Sequence, residues 1–125
     1  MKTALETPWG QAQSVKRIAE GIDFVETASH GGYRLSPAYQ QRLSDLVPAF
    51  RTYAGGPWYE EDCDAAIIPV VFPEAFNPSA VVRAIQACRA FAARWPARWH
   101  CVLPLLTTGG RSYPRCGSPD SEPID

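Results

Sequence analysis

The sequence contains no apolar stretch long enough to cross a membrane. Its longest apolar run, residues 65–72, is interrupted by Pro69 and falls far short of the roughly 20 residues that a transmembrane helix needs. Lys2 near the N-terminus is not followed by an apolar segment of signal-peptide length. We therefore expect a cytoplasmic protein that is neither membrane-spanning nor secreted.

Metal-binding and catalytic motifs are also missing. The chain has four cysteines, none of them in a CxxC pair, and two histidines, so it lacks the ligand spacing of a zinc site. It contains no glycine-rich phosphate loop and no HExxH or GxSxG motif. These absences lead us to expect no metal, no cofactor and no catalytic residues. Cys63 and Cys88 are predicted to be reduced core residues.

Length and charge limit the architecture. A chain of 125 residues can form one independently stable core but not two. The net charge of −1 is unlike that of a strongly basic nucleic-acid-binding domain. We predict a single α+β domain over residues 1–106. Residues 107–125, which are rich in Gly, Ser and Pro and have no periodicity, are predicted to be a flexible tail.

A short antiparallel sheet is predicted near the N-terminus. Residues 14–28 have β-branched arms on either side of Glu20-Gly21, the pattern of a β-hairpin. The irregular spacing of Val15 and Ile18 indicates a bulge in the first arm. After a bend, residues 33–35 are predicted to return along the second arm as a third strand.

The sheet is predicted to pack against two or three helices. Ser36-Pro37 and Asn77-Pro78 each combine an N-cap residue with proline at the first helical position. The first helix should stop before Pro48, and the second should run to Trp95 at the end of its buried apolar arc. Residues 60–72 have helical periodicity despite Pro69, with a strand over 66–71 as the alternative. Residues 99–106 have the composition of a short strand.

Residues 59–64, YEEDCD, form the densest polar cluster of the sequence and are a candidate binding surface. Flanking carboxylates raise the pKa of a thiol, so a nucleophilic Cys63 is not expected. Tyr53 and its neighbours flank a glycine–proline loop, and exposed aromatic residues are typical interface anchors. We predict partner contacts from Trp58, Tyr59, Glu60, Glu61, Asp62 and Asp64.

Charge is segregated along the chain. Residues 60–76 contain five acids and no base, whereas residues 77–118 contain six arginines and no acid. Arg83, Arg89 and Arg94 lie on or beside the polar side of the predicted second helix, where they can meet an acidic protein or phosphate. Pairing between the two charged segments within the molecule is the alternative.

The triplet His30-Gly31-Gly32 is a candidate functional turn. Two glycines permit positive φ and close backbone approach, so His30 can be presented at a cleft. If His30 meets the acidic cluster, a carboxylate-oriented general base results. This gives an alternative function, a small hydrolase-like enzyme using His30 with Glu61 or Asp64. A nucleic-acid-binding accessory factor that uses the arginine face is a further alternative.

Four segments together resemble an uncharacterised domain family of proteobacterial plasmids, integrative conjugative elements and phage-like islands. They are TPWG (7–10), SHGGYRLS (29–36), WYEEDCD (58–64) and VFPEAF (71–76). In that family an aromatic residue follows the acidic-cysteine motif and an uninterrupted helix runs through it, so Ala65 and Pro69 depart from the pattern. No activity is established for the family, and no functional residues are carried over.

The resemblance implies a mobile-element context, in which small proteins are often inhibitors of host defence. We therefore expect a non-catalytic protein that inhibits a host defence complex through protein–protein contacts. An anti-CRISPR or anti-restriction protein fits this description, with a CRISPR effector as the favoured partner.

Overall fold

A computed structural model describes residues 5–106, which form an α+β fold. A small hairpin pairs β1 (Glu6–Thr7) with β2 (Gly10–Gln11). The larger sheet is antiparallel throughout and contains, in spatial order, β3 (Ser14–Ala19), β4 (Ile22–Glu26), β5 (Gly31–Leu35) and β6 (Trp58–Glu60). The predicted tail, residues 107–125, lies outside the described residues.

The predicted N-terminal hairpin is confirmed. β3 and β4 join at Glu20-Gly21, and Gly21 has φ +88°, a conformation that favours glycine in tight turns. The register shifts between Arg17 and Ala19, which places the predicted bulge at Ile18. The third strand starts two residues earlier than predicted, at Gly31.

Both proline-initiated helices are confirmed. In α1 (Pro37–Leu46) the Ser36 hydroxyl caps the first turn, and in α3 (Pro78–Arg94) the Asn77 side chain accepts the Ala80 N–H at 2.8 Å. The prediction that Trp95 ends the buried arc is wrong. α3 stops at Arg94, and Trp95 is 48% exposed.

The helix predicted over residues 60–72 is wrong in its first half, and so is the alternative strand over 66–71. Instead, β6 is followed by a 3-10 turn (Asp64–Ala66) and by α2 (Ile67–Val71). All five residues of α2 are buried, so the segment has no polar face. Pro69 is tolerated because the first turn of a helix does not use its N–H groups in intrahelical bonds.

The strand predicted over residues 99–106 is also wrong. Pro96 begins a new helix, α4 (Pro96–Trp99), which continues through a 3-10 turn (His100–Val102) into α5 (Leu103–Leu106). Local helical turns satisfy the backbone there, and the apolar side chains of Trp99, Val102 and Leu106 enter the core.

One hydrophobic core joins the sheet to the helices. Ile22, Leu35 and Tyr59 project from the same face of the sheet into it. Trp99 is fully buried, with ring centroids 5.0 Å from Phe50 and 4.9 Å from Phe91. None of the helices within residues 5–106 has both the length and the apolar character needed to cross a bilayer.

The N-terminal hairpin covers the opposite face of the sheet. Trp9 packs edge to face against Trp58, with ring centroids 5.6 Å apart, and its ring lies over Gly32. A Cβ on Gly32 would lie 2.6 Å from that ring and 2.4 Å from the Tyr59 carbonyl oxygen. Glycine is therefore required here for close approach rather than for its backbone angles.

Candidate functional site

Tyr59, predicted as a surface anchor, is a core residue. Its side chain is fully buried, and its hydroxyl donates a hydrogen bond to Gln40 Oε1 at 2.6 Å. Burial raises the pKa of Tyr59 to about 12. The prediction that Tyr59 contacts a partner is corrected, because β6 turns this side chain inward. Its neighbour Trp58 points to the other face and is only half-buried.

Asp64 is also fully buried, so the prediction that it contacts a partner is corrected too. Its carboxylate forms an ion pair with Arg98 and accepts the backbone N–H of Tyr53 at 2.7 Å. The Arg98 guanidinium also donates to the Arg51 carbonyl at 3.3 Å. At this point the acidic and arginine-rich segments pair within the molecule, and the contact ties α4 to the loop after α1.

The cysteine thiols sit in environments that disfavour the thiolate. Burial raises the pKa of Cys63, and the neighbouring Asp64 charge raises it further, while Arg98 opposes the shift. Cys63 is half-buried rather than a full core residue, whereas Cys88 is completely buried with a pKa of about 12. These environments are those of structural cysteines.

His30 meets the acidic cluster at Glu60. Its Nδ1 lies 3.1 Å from Glu60 Oε2, and the imidazole side chain is 49% exposed. Glu61 and Asp64 were the predicted partners of His30. Asp64 cannot pair with His30, because its carboxylate is buried against Arg98. Because antiparallel pairing places Gly32 opposite Glu60, the sheet register brings the imidazole and this carboxylate together.

Gly31 and Gly32 are strand residues of β5 rather than part of a turn. Neither has a positive φ, so only His30 of the predicted triplet lies outside the strand, directly after the bend that follows β4. The Gly31 carbonyl accepts the Glu61 N–H at 2.9 Å. This bond holds the start of the acidic segment against the start of β5.

A polar pocket of about 430 Å³ opens beside His30. Its lining includes the side chains of Ser14, Glu26, Thr27, Ser29 and Glu61. The Ser14 hydroxyl donates to Glu26 Oε1 at 3.1 Å. Despite these carboxylates, residues 5–106 contain no group of three or more His, Cys, Asp or Glu side chains arranged to hold a metal ion.

The predicted arginine face of α3 is exposed. Arg83 Nη1 is 3.4 Å from the Ser79 hydroxyl, Arg89 donates to the Leu106 carbonyl at 3.1 Å, and the Arg94 guanidinium lies 4.9 Å from the centroid of the Trp95 ring. None of the three pairs with a carboxylate within the described part of the chain. Each guanidinium therefore retains N–H donors that face solvent.

Sequence reasoning did not anticipate the structural role of Arg98. Arg98 belongs to the arginine-rich segment, but only 26% of its side chain is exposed. Its partner Asp64 lies 34 residues away in the chain. A contact over that separation depends on how the helices pack, and no local pattern in the sequence signals it.

A family model described as "Domain of unknown function (DUF7007)" matches residues 2–115 of the chain. The match covers the sheet, the acidic segment and the arginine face. No match was found among curated proteins or among solved structures.

Proposed function

The chain belongs to the DUF7007 family, whose function is unknown, and from its own geometry we propose that it is a non-catalytic binding protein. In this proposal, the arginine face of α3, formed by Arg83, Arg89 and Arg94, docks onto an acidic surface of a partner protein. Docking blocks the partner's activity.

The observation that carries the proposal is the lack of carboxylate partners on this face. Several other arginines in the described residues have a carboxylate partner: Arg17 and Arg34 share Asp23, and Arg98 pairs with Asp64. Guanidinium groups bind carboxylates in a defined two-pronged geometry. An exposed helix with three uncompensated guanidinium groups is therefore suited to a complementary acidic surface.

The composition of the face favours a protein partner over nucleic acid. Val82 is 51% exposed, and Ala90 and Ala93 are exposed on the same helix, so the arginines are interspersed with small apolar side chains. Protein interfaces combine an apolar centre with a charged rim. Nucleic-acid binding relies on a dense basic surface, and the net charge of −1 gives little support for one.

The proposed partner is a component of a host defence complex, with a CRISPR effector as the first candidate. Support comes from the sequence resemblance to proteins of plasmids, integrative conjugative elements and phage-like islands. The proposed site of action is the cytoplasm, which suits the free thiols of Cys63, Cys88 and Cys101.

Pull-down against purified CRISPR effector complexes, combined with a plasmid-interference assay, tests the proposal. Arg83→Glu and Arg94→Glu should each weaken binding by about tenfold, because each places a repelling charge in the interface. Lys16→Glu, a matched reversal on the exposed part of β3, should leave binding unchanged. The proposal fails if the chain neither binds nor protects, or if the three reversals are equivalent.

The His30–Glu60 pair supports a second candidate, a small hydrolase-like enzyme. With Nδ1 donating to Glu60, Nε2 is left as a proton acceptor beside the polar pocket. Wild-type protein would then hydrolyse activated ester or phosphoester substrates, and His30→Gln would abolish turnover while leaving the fold intact. Absence of turnover by the wild type across such a panel would eliminate this candidate.

A further inference from the structure

A groove lies between the core-facing side of the sheet and α3, beside the arginine face. Its volume is about 440 Å³. Aromatic rings form its walls, carboxylates lie at its rim, and small residues form its floor. The rings are Phe24, Tyr33 and Phe91, the carboxylates are Glu61 and Asp62, and the floor contains Cys63, Ala65, Ala66, Ala84 and Ala87.

The aromatic wall and the acidic rim are in direct proximity. Phe24 and Tyr33 are paired across β4 and β5, with ring centroids 5.2 Å apart and planes inclined by 74°. The tip of the Phe24 ring and Glu61 Oε1 both lie within 3.3 Å of the point at which Gly31 would carry a Cβ. The Glu61 carboxylate therefore sits at the edge of the ring pair.

Charge in the groove favours a cation. Glu61 and Asp62 are exposed, and neither forms an ion pair within residues 5–106. Arg83 also lines the groove, but its guanidinium is directed to the Ser79 hydroxyl near the start of α3. Aromatic faces attract cations through their quadrupole, and adjacent carboxylates add to that attraction.

We propose that this groove binds a lysine side chain of a partner protein. The aliphatic stem of a lysine packs on the alanine floor and the rings, while its compact ammonium group reaches Glu61 and Asp62 at the rim. The small floor residues provide the space that the stem needs. This site adjoins the arginine face, with which it shares Arg83, and it does not rest on the function proposed for that face.

The direct test is an NMR titration of the full chain with Nα-acetyl-lysine methylamide. Nα-acetyl-norleucine methylamide, which keeps the aliphatic stem without the ammonium group, is the matched probe. We expect shifts of the Ala65, Ala66 and Ala84 amides and binding about fivefold tighter for the lysine probe. Equal affinity for the two probes, or shifts confined to other surfaces, would overturn the proposal.

Exposed acids permit a charge-removal test that spares the fold. The double variant Glu61→Gln/Asp62→Asn should lose the preference for the lysine probe. A control double variant, Glu6→Gln/Glu20→Gln, removes two exposed acids elsewhere and should keep the preference. If both double variants retain it, the groove is not the site.

Alkylation of Cys63 provides a readout that does not depend on chemical shifts. Because Cys63 is one of the residues that line the groove, the lysine probe should slow alkylation of its thiol, measured by peptide mass mapping. The norleucine probe should slow it less. Arg94→Glu should bind the lysine probe like the wild type, so failure of this proposal is distinguishable from failure of the arginine-face function. An unchanged rate of Cys63 alkylation at a saturating concentration of the lysine probe would contradict the proposed lysine site.

Discussion

Two aspartates separated by one residue have opposite environments. Asp62 is exposed, whereas Asp64, the first residue of the 3-10 turn, is fully buried against Arg98 and the Tyr53 N–H. A buried carboxylate is tolerated only where a counter-charge and hydrogen-bond donors replace its water. Asp64 is therefore the aspartate of the acidic segment that stabilises the fold, and Asp62 remains available for binding.

Asp64→Ala should lower the free energy of unfolding by about 3 kcal/mol, because it removes one partner of a buried ion pair and leaves the other uncompensated. Asp62→Ala is the matched control and should change it by less than about 0.5 kcal/mol, as expected for an exposed residue. Urea unfolding followed by circular dichroism measures both. Equal effects of the two substitutions would show that the Asp64–Arg98 pair does not stabilise the fold.

Cys88 should make stability depend on pH in the alkaline range. Its pKa is about 12 in the folded chain, against an ordinary value of 9.0, so the unfolded chain loses the proton first. The contribution to stability is complete below about pH 9 and is lost as pH rises toward 12, at about 1.4 kcal/mol for each pKa unit.

The Cys88→Ala variant tests this pH dependence. Between pH 8.5 and 10, the free energy of unfolding of the reduced wild type should fall more steeply than that of the variant, because Tyr59 is present in both proteins. The cavity left by the substitution lowers stability at every pH and does not alter the slope. Parallel curves for the two proteins would refute the role assigned to the thiol.

At the scale of elements, the sequence predicted structure that depends on neighbouring residues better than structure that depends on residues distant in the chain. The starts of α1 and α3 were predictable because Ser36 and Asn77 cap their own helices. The path of residues 58–72 was not, because Tyr59 becomes a strand residue only by pairing with Tyr33 in β5. Local periodicity does not reveal that pairing. The tertiary contacts of the strand override the local helical preference.

The Asn77 cap gives a prediction for α3. Asn77→Ala removes the acceptor of the Ala80 N–H and should lower the free energy of unfolding by about 1 kcal/mol. Asn77→Asp keeps an acceptor and also complements the helix dipole, so its stability should equal or exceed that of the wild type. Thermal unfolding monitored at 222 nm compares the three proteins. A similar loss in both variants would mean that the cap does not act through its side-chain oxygen.

For the whole molecule, the sequence predicted the exposure of the α3 arginines better than the contacts between distant segments. The exposed arginines of α3 follow from helical periodicity, and the segregation of acids from bases is visible in the sequence. The His30–Glu60 pair depends on strand register, and the aromatic groove requires the sheet and α3 to be placed together. These features arise from packing between distant segments.

The core shared by the sheet and the helices within residues 5–106 predicts that this part of the molecule unfolds as one unit. Residues of β4, β5, β6 and every helix from α1 to α5 belong to the same buried cluster, so no helix or strand of it can leave without exposing the others. We expect far-ultraviolet circular dichroism and tryptophan fluorescence to give the same urea midpoint, as for a two-state domain.

Tryptophan positions make this prediction specific. Trp58 reports on the outer face of the sheet and Trp99 on the centre of the core. In Trp95→Phe/Trp99→Phe, the remaining fluorescence of Trp9 and Trp58 should therefore follow the sheet. In Trp9→Phe/Trp58→Phe, the remaining fluorescence of Trp95 and Trp99 should follow the helical layer. Within each variant, the midpoint by fluorescence should equal that by circular dichroism, even though the two variants differ in stability. A continuous core couples the sheet and the helices only if neither layer is stable without the other. If the fluorescence of the sheet changed at a lower urea concentration than that of the helices, the sheet and the helices would be two separate folding units.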